Sequence, residues 1–173
     1  MAVCYLGMGS NVGDRLSYML KAFEFLKNLG EVLRVSTIYE SRAWGVVNQE
    51  DFLNCVVKFK TELEPVELLR RLKEIEKLVG RKERERWGPR EIDIDILLYE
   101  NYILMLSFLV VPHPYLTKRD FVLVPLLELE PQLEHPLYKR PLSEYLKSLD
   151  VSLKPFACFV DIQQKAKNKE KNH

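Results

Sequence analysis

Three cysteines in 173 residues, an odd number with no Cys-x-x-Cys spacing, exclude a disulfide framework and a cysteine zinc site. Cys4 and Cys55 fall on strand-like stretches and read as core thiols. An excess of charge of one sign is also missing: 26 Lys plus Arg against 25 Asp plus Glu leave a formal net charge of +1. No global field draws in nucleic acid or an anionic membrane, so any polyanion must be held by local cations. No apolar run reaches about 18 residues, which excludes a membrane-spanning helix. The opening Met1-Ala2-Val3-Cys4-Tyr5 lacks the basic region of a secretory leader, and the expected location is the cytoplasm. Neither glycine-based phosphate fingerprint is present. There is no Gly-x-x-x-x-Gly-Lys-Ser/Thr, and Gly7-x-Gly9 does not continue as Gly-x-Gly-x-x-Gly.

What remains is an ordinary globular composition, 47% hydrophobic and 29% charged, long enough for one substantial core. A single domain is expected over residues 1–162, followed by a disordered lysine-rich tail over 163–173. No internal repeat is evident. Residues 2–8 alternate as a strand, and Gly9 to Asp14 is turn chemistry ending at a helix cap. Leu16, Met19, Leu20, Phe23 and Leu26 follow at helical spacing, closed by Gly30. Residues 31–39 read as a second strand, 40–49 as a loop, and 51–59 as a third strand. On that strand Leu53, Cys55, Val57 and Phe59 share one face, opposite Phe52, Asn54 and Val56. Pro65 opens a second helix, with Leu68, Leu69, Leu72, Ile75 and Val79 inward and Gly80 as its stop. Further helices are expected over 117–127 and 142–149. The order strand, helix, strand, strand, helix, strand predicts an α+β fold, a ferredoxin-like βαββαβ antiparallel sheet with helices on one face plus C-terminal helical additions. The other sheet face is then left for a ligand.

The most informative stretch is Arg86-Trp87-Gly88-Pro89-Arg90-Glu91-Ile92-Asp93-Ile94-Asp95, a basic turn feeding a strand. Period-two alternation puts Ile92, Ile94, Ile96 and Leu98 on one face and Asp93, Asp95, Leu97 and Tyr99 on the other. The two aspartates, about 7 Å apart at Cα, can converge on one hard cation, and the arginines upstream suit the phosphates that Mg²⁺ carries with it. An Asp-x-Asp on a half-buried strand is often only a solvated outer face. Here an aromatic, a rigid turn and several cations stand within ten residues of it.

The segments Leu6 to Asp14, Phe52-Leu53-Asn54, Arg86-Trp87-Gly88-Pro89-Arg90 with Asp93-x-Asp95, and Pro112-His113-Pro114 followed by Arg119-x-Phe121-Val122-Leu123-x-Pro125-Leu126 stand in order and spacing. Together they resemble the 6-hydroxymethyl-7,8-dihydropterin pyrophosphokinase family over about residues 2–146. The resemblance implies pyrophosphate transfer from ATP, the co-substrate, to the pterin in folate biosynthesis, by attack of the hydroxymethyl oxygen on the β-phosphorus with release of AMP. It implies Asp93 and Asp95 as ligands of two Mg²⁺ ions, and Arg81, Arg90 and Asp95 as the catalytic set. Glu76, Arg84, Trp87, Ile96, His113 and Arg119 match ATP contacts, with Lys82 as the alternative to Arg84. Ser41, Arg42, Trp44, Gly45, Phe52, Asn54, Asp93 and Phe121 match the pterin pocket, where Phe52 and Phe121 stack on the bicycle and Asn54 reads its edge. Arg42-Ala43 stand where the family commonly has prolines, and Phe108 where many members carry arginine. The expected partners are these small molecules, with no nucleic acid, no membrane and a monomeric chain. One rival is an RNA-binding module on the same sheet, with Phe52 and Phe121 stacking bases; near-neutral charge and the outward aspartates argue against it. Another is a non-catalytic pterin or nucleotide sensor.

Overall fold

The structure, a computed structural model, describes residues 1–42, 50–85, 88–159, 168 and 171. Most of the expected tail lies outside the described residues. The centre of the sheet is β1 (Ala2–Ser10), which pairs antiparallel with β4 (Phe52–Thr61) on one side and β5 (Asp93–Tyr99) on the other. Beyond β4 lie β2 (Glu31–Val35) and β3 (Ile38–Ser41), both paired with β4. The stretch expected as one strand over 31–39 is thus two. Ser36 interrupts it, donating its amide to the Val56 carbonyl and accepting the Val56 amide on its hydroxyl, each at 2.9 Å.

Helices α1 (Arg15–Leu26) and α2 (Pro65–Val79) cover one sheet face. Asp14 caps α1 by accepting the Ser17 amide, a usual means of satisfying a free N-terminal donor. Pro65 opens α2, where its missing N–H costs nothing, and Gly80 ends it at φ 127°, a backbone state that side chains resist. The core between helices and sheet takes Cys4, Leu6 and Met8 of β1, Leu53, Cys55, Val57 and Phe59 of β4, and Ile92, Ile94 and Ile96 around β5. Met19, Phe23, Leu26, Leu68, Leu72 and Ile75 close it from above.

The opposite face, expected from sequence to be left for a ligand, is covered over part of its area. After the short hairpin β6 (Leu104–Met105) and β7 (Val110–Val111), α3 (Asp120–Leu129) and α4 (Ser143–Leu146) pack on that side. Leu116, Leu123, Leu126 and Leu142 there bury Tyr5, Val56, Leu97 and Leu98. Strict alternation on β5 fails at that point. The register slips opposite Tyr5 and Leu6, so Leu97 and Leu98 both enter this second core and Tyr99 turns into the first, the usual consequence of a bulge. A last strand, β8 (Lys154–Ala157), was not read from sequence and adds to the edge of β3. Among the described residues no helix is long and apolar enough to cross a membrane.

Candidate active site

At the uncovered end of the second face the strands leave a cleft of about 660 Å³. Its floor follows from two glycines. Gly9 of β1 lies opposite Asp93 on one side and Asn54 on the other, and Gly7 lies opposite Asp95 and Val56. A Cβ at position 9 would come within 3.0 Å of Asn54 Oδ1, and one at position 7 within 3.3 Å of a Leu97 methyl. Bare backbone therefore separates the Asp93 carboxylate from the Asn54 amide, with Cα atoms two strand spacings, about 10 Å, apart.

Asp93 and Asp95 do share one face, as alternation required, and both line the cleft. Arg81 donates to Asp93 Oδ1 and Arg90 to Asp93 Oδ2, each at 3.0 Å. Arg90 is aimed by Asn11, which is 1% exposed. The Asn11 amide donates to the Arg90 carbonyl, and Asn11 Oδ1 accepts the Arg90 amide at 2.7 Å. Arg81 also bonds Glu76 at 2.5 Å. Burial works against the Arg81 charge, but Glu76 and Asp93 outweigh it and hold its pKa above the ordinary value. Burial likewise pushes Asp93 up, and the charges of Lys73, Arg90 and Arg81 more than reverse it, leaving its carboxyl below the usual range. Asp95 goes the other way. Burial and the charge of Asp93 push it up to about 7, and none of the described side chains bonds it.

The other end of the cleft is lined by Ser41, Arg42, Phe52, Asn54 and Phe121. Asn54 donates from Nδ2 to Ser41 Oγ at 2.7 Å, which fixes its amide plane. Along the third side stand His113, Tyr115, Lys118 and Arg119. The Arg119 guanidinium lies 4.4 Å from the Tyr115 ring centroid and 5.4 Å from that of Phe121, within cation–π range. His113 Nδ1 accepts the Tyr115 amide at 3.1 Å. Burial, and then Arg119, push its pKa down to about 4. The imidazole is therefore neutral with its proton on Nε2, a donor.

Three residues expected at the nucleotide do not line the cleft. Ile96 is 3% exposed and its side chain is in the first core, because it shares a face with Ile92 and Ile94. Glu76, 2% exposed, is turned under the sheet edge, where it accepts the Ile94 amide and bonds Lys73 and Arg81. Arg84 is paired at 2.8 Å with the buried Glu91. Trp44, Gly45 and Trp87 lie outside the described residues. Asn11, Lys73, Tyr115, Lys118, Asp120 and the segment 148–150 are not among the site residues expected from sequence. Asn11 lies within the Leu6 to Asp14 segment, and Tyr115, Lys118 and Asp120 within the stretch from Pro112 to Leu126, whereas Lys73 and 148–150 stand in no such motif.

Among the described residues no group of three or more His, Cys, Asp and Glu is gathered as a metal cage. Two carboxylates, one of them bonded by none of the described side chains, suit a hard cation that brings the rest of its oxygen ligands as phosphate and water.

Residues 5–131 match the family model of 7,8-dihydro-6-hydroxymethylpterin-pyrophosphokinase, HPPK. The chain is 56% identical to the 2-amino-4-hydroxy-6-hydroxymethyldihydropteridine pyrophosphokinase of Aquifex aeolicus over 162 residues, 94% of this chain and 100% of that protein. It is 42% identical to the Bacillus subtilis protein of the same name, over 76% of this chain and 80% of that one. The crystal structure of Plasmodium falciparum HPPK-DHPS with pteroate superposes with a TM-score of 0.67 over 85% of this chain and 42% of that chain. At 17% identity that likeness speaks for the fold alone. With most of the cleft-forming sequence inside the family match and a near full-length relative above half identity, the chain belongs to the 7,8-dihydro-6-hydroxymethylpterin-pyrophosphokinase family.

Proposed function

We infer that this cleft is where the family reaction, transfer of pyrophosphate from ATP to 6-hydroxymethyl-7,8-dihydropterin in folate biosynthesis, takes place. One observation carries the assignment: Asp93 and Asp95, with Arg81 and Arg90 on Asp93, line one cleft with Asn54, Phe52 and Phe121. Phe52 and Phe121 would sandwich the pterin while Asn54, held by Ser41, pairs with its polar edge. The hydroxymethyl group then points along the glycine floor toward the aspartates. Its oxygen forms a bond to the β-phosphorus, the bond from that phosphorus to the α–β bridging oxygen breaks, and AMP leaves with that oxygen. The hydroxyl proton passes to solvent water as the new bond forms.

Such transfer needs positioning and charge neutralisation above all. Asp93 and Asp95 would hold Mg²⁺, two ions in our reading, and the metal supplies Lewis-acid neutralisation of phosphate charge when bound. Arg81 and Arg90 are held on Asp93, and once that carboxylate engages a metal their guanidinium groups would turn to the phosphates. His113, neutral with Nε2–H outward, donates to a phosphate oxygen without adding charge, and Arg119 supplies a cation beside it. Glu76 and Arg84 support this site from behind, and any contact of Ile96 with nucleotide falls to its backbone.

We also read the sheet order as the ferredoxin-like arrangement, residues 1–162 as one catalytic domain, and the segment 163–173 as a disordered tail. The chain is taken as a cytoplasmic monomer that binds neither nucleic acid nor membrane. The deciding assay is product analysis: AMP must form only when Mg²⁺ and the hydroxymethyl-dihydropterin are both present. Formation of ADP instead would overturn the reading.

A further inference from the structure

We propose that Asp120 is a positioning residue that ties the Phe121 wall of the cleft to the C-terminal segment lining the same cleft. Asp120 is 8% exposed, and none of the described cations pairs with it. Its carboxylate is spent entirely on two amides. Oδ1 accepts the Phe121 amide at 2.8 Å, and Oδ2 accepts the Ser152 amide at 3.0 Å, 32 residues further along the chain. An aspartate in the first turn of α3 already suits the helix dipole. That role needs no second oxygen reaching out of the helix to another segment.

The segment it reaches is part of the cleft. The family match ends at residue 131, yet Ser148, Leu149 and Asp150 line the cavity. Leu149 packs on the second core. Beyond Ser152 the chain becomes β8, pairing Lys154 with Glu40 and Pro155 with Tyr39, on the strand that carries Ser41. Phe159 then closes on Phe23 with ring centroids 4.7 Å apart. Asp120–Ser152 is thus the middle anchor of a strap that begins beside Phe121 and ends on the Ser41 strand. Both of those residues belong to the pterin end. Removing the carboxylate frees two part-buried amides and loosens the spacing between the stacking ring and the strap, while Asp93, Arg81 and His113 keep their own supports.

This inference rests on the assignment of Phe121 to the pterin, and the experiment separates the two. Michaelis constants for ATP and for the pterin are measured for Asp120→Ala, Asp120→Asn, Ser152→Pro and, as reference, Phe121→Ala, each with a thermal melt. Asp120→Ala should raise the pterin KM about tenfold, the worth of one charge-assisted hydrogen bond, and move the ATP KM by less than about twofold. Asp120→Asn, which keeps one acceptor, should recover part of the loss. Ser152→Pro removes the donor at the far end and should act in the same direction; it carries the test should Asp120→Ala fail to fold. Combining the two should cost no more than the larger single effect. Folded variants with an unchanged pterin KM, or with both KM values raised alike, would overturn the proposal. If Phe121→Ala leaves the pterin KM unchanged, the assignment of that ring falls and the proposal with it. If Phe121→Ala raises it and Asp120→Ala does not, the proposal alone falls.

Discussion

Asp93 and Asp95 point from the same face of β5, yet Asp93 holds two arginines and Asp95 is bonded by none of the described side chains. The two carboxyls consequently shift in opposite directions, Asp93 down and Asp95 up.

That asymmetry makes the ligand-free protein sensitive to pH through Asp95. Its folded pKa, about 7, stands above the ordinary 3.8, so between those values the native state keeps a proton that the unfolded chain has lost. Stability from this group therefore falls as pH rises through that window and is lowest above about 7. Asp95→Asn should raise the thermal midpoint of the metal-free protein at pH 8 relative to wild type and change it little at pH 4. The same variant should lose the stabilisation given by Mg²⁺ with an ATP analogue, and turnover should drop at least about 10²-fold. Melts that shift in parallel at both pH values would contradict the assignment.

Glu76 is predicted to matter for stability more than for nucleotide affinity. Its carboxylate serves the Ile94 amide, Lys73 and Arg81 from a buried position, so Glu76→Ala should cost about 2 kcal/mol in urea unfolding. Loss of Arg81 anchoring should lower kcat more than it raises the KM for ATP. A stable variant with a strongly raised ATP KM would restore the direct-contact reading.

Gly9→Ala should damage the pterin end. A methyl 3.0 Å from Asn54 Oδ1 crowds that amide and should displace it against its bond to Ser41 Oγ, so the pterin KM should rise about tenfold. The destabilisation from crowding should be about 1–3 kcal/mol. An unaltered pterin KM in the folded variant would remove Asn54 as the edge reader.

His113 should show a single neutral tautomer. With its pKa pushed down to about 4 by burial and Arg119, imidazole ¹⁵N spectra should report Nε2–H and an unprotonated, hydrogen-bonded Nδ1 throughout pH 5.5 to 8. Since the folded value lies below the unfolded one, this group destabilises the protein as pH falls below about 6.5. Titration of the ring near 6.5 would count against the buried-donor role.

Local periodicity made a good part of the site readable in advance. Asp93 and Asp95 had to share a face because two residues separate same-face positions on any strand, and Phe52 had to share one with Asn54 for the same reason. The cap at Asp14, the start at Pro65 and the stop at Gly80 needed only their own turns of chain. Leu98 and Tyr99 depart from strict alternation because the bulge that exchanges their faces arises from pairing with Tyr5 and Leu6, partners nearly a hundred residues away. β8 escaped notice because Pro155 and a largely exposed pattern carry no strand signal. It is a strand because the edge of β3 offers unpaired backbone groups.

Residue identity and local spacing set the chemistry available: which residues are acids, cations and stacking rings, and which neighbours share a face. How those groups are used follows from folding in three dimensions. It placed the arginines on Asp93 rather than Asp95, turned Glu76 and Ile96 inward, and brought Asp120 to Ser152. Each outcome depends on burial and on distances between segments far apart in the chain, and spacing along a sequence fixes neither.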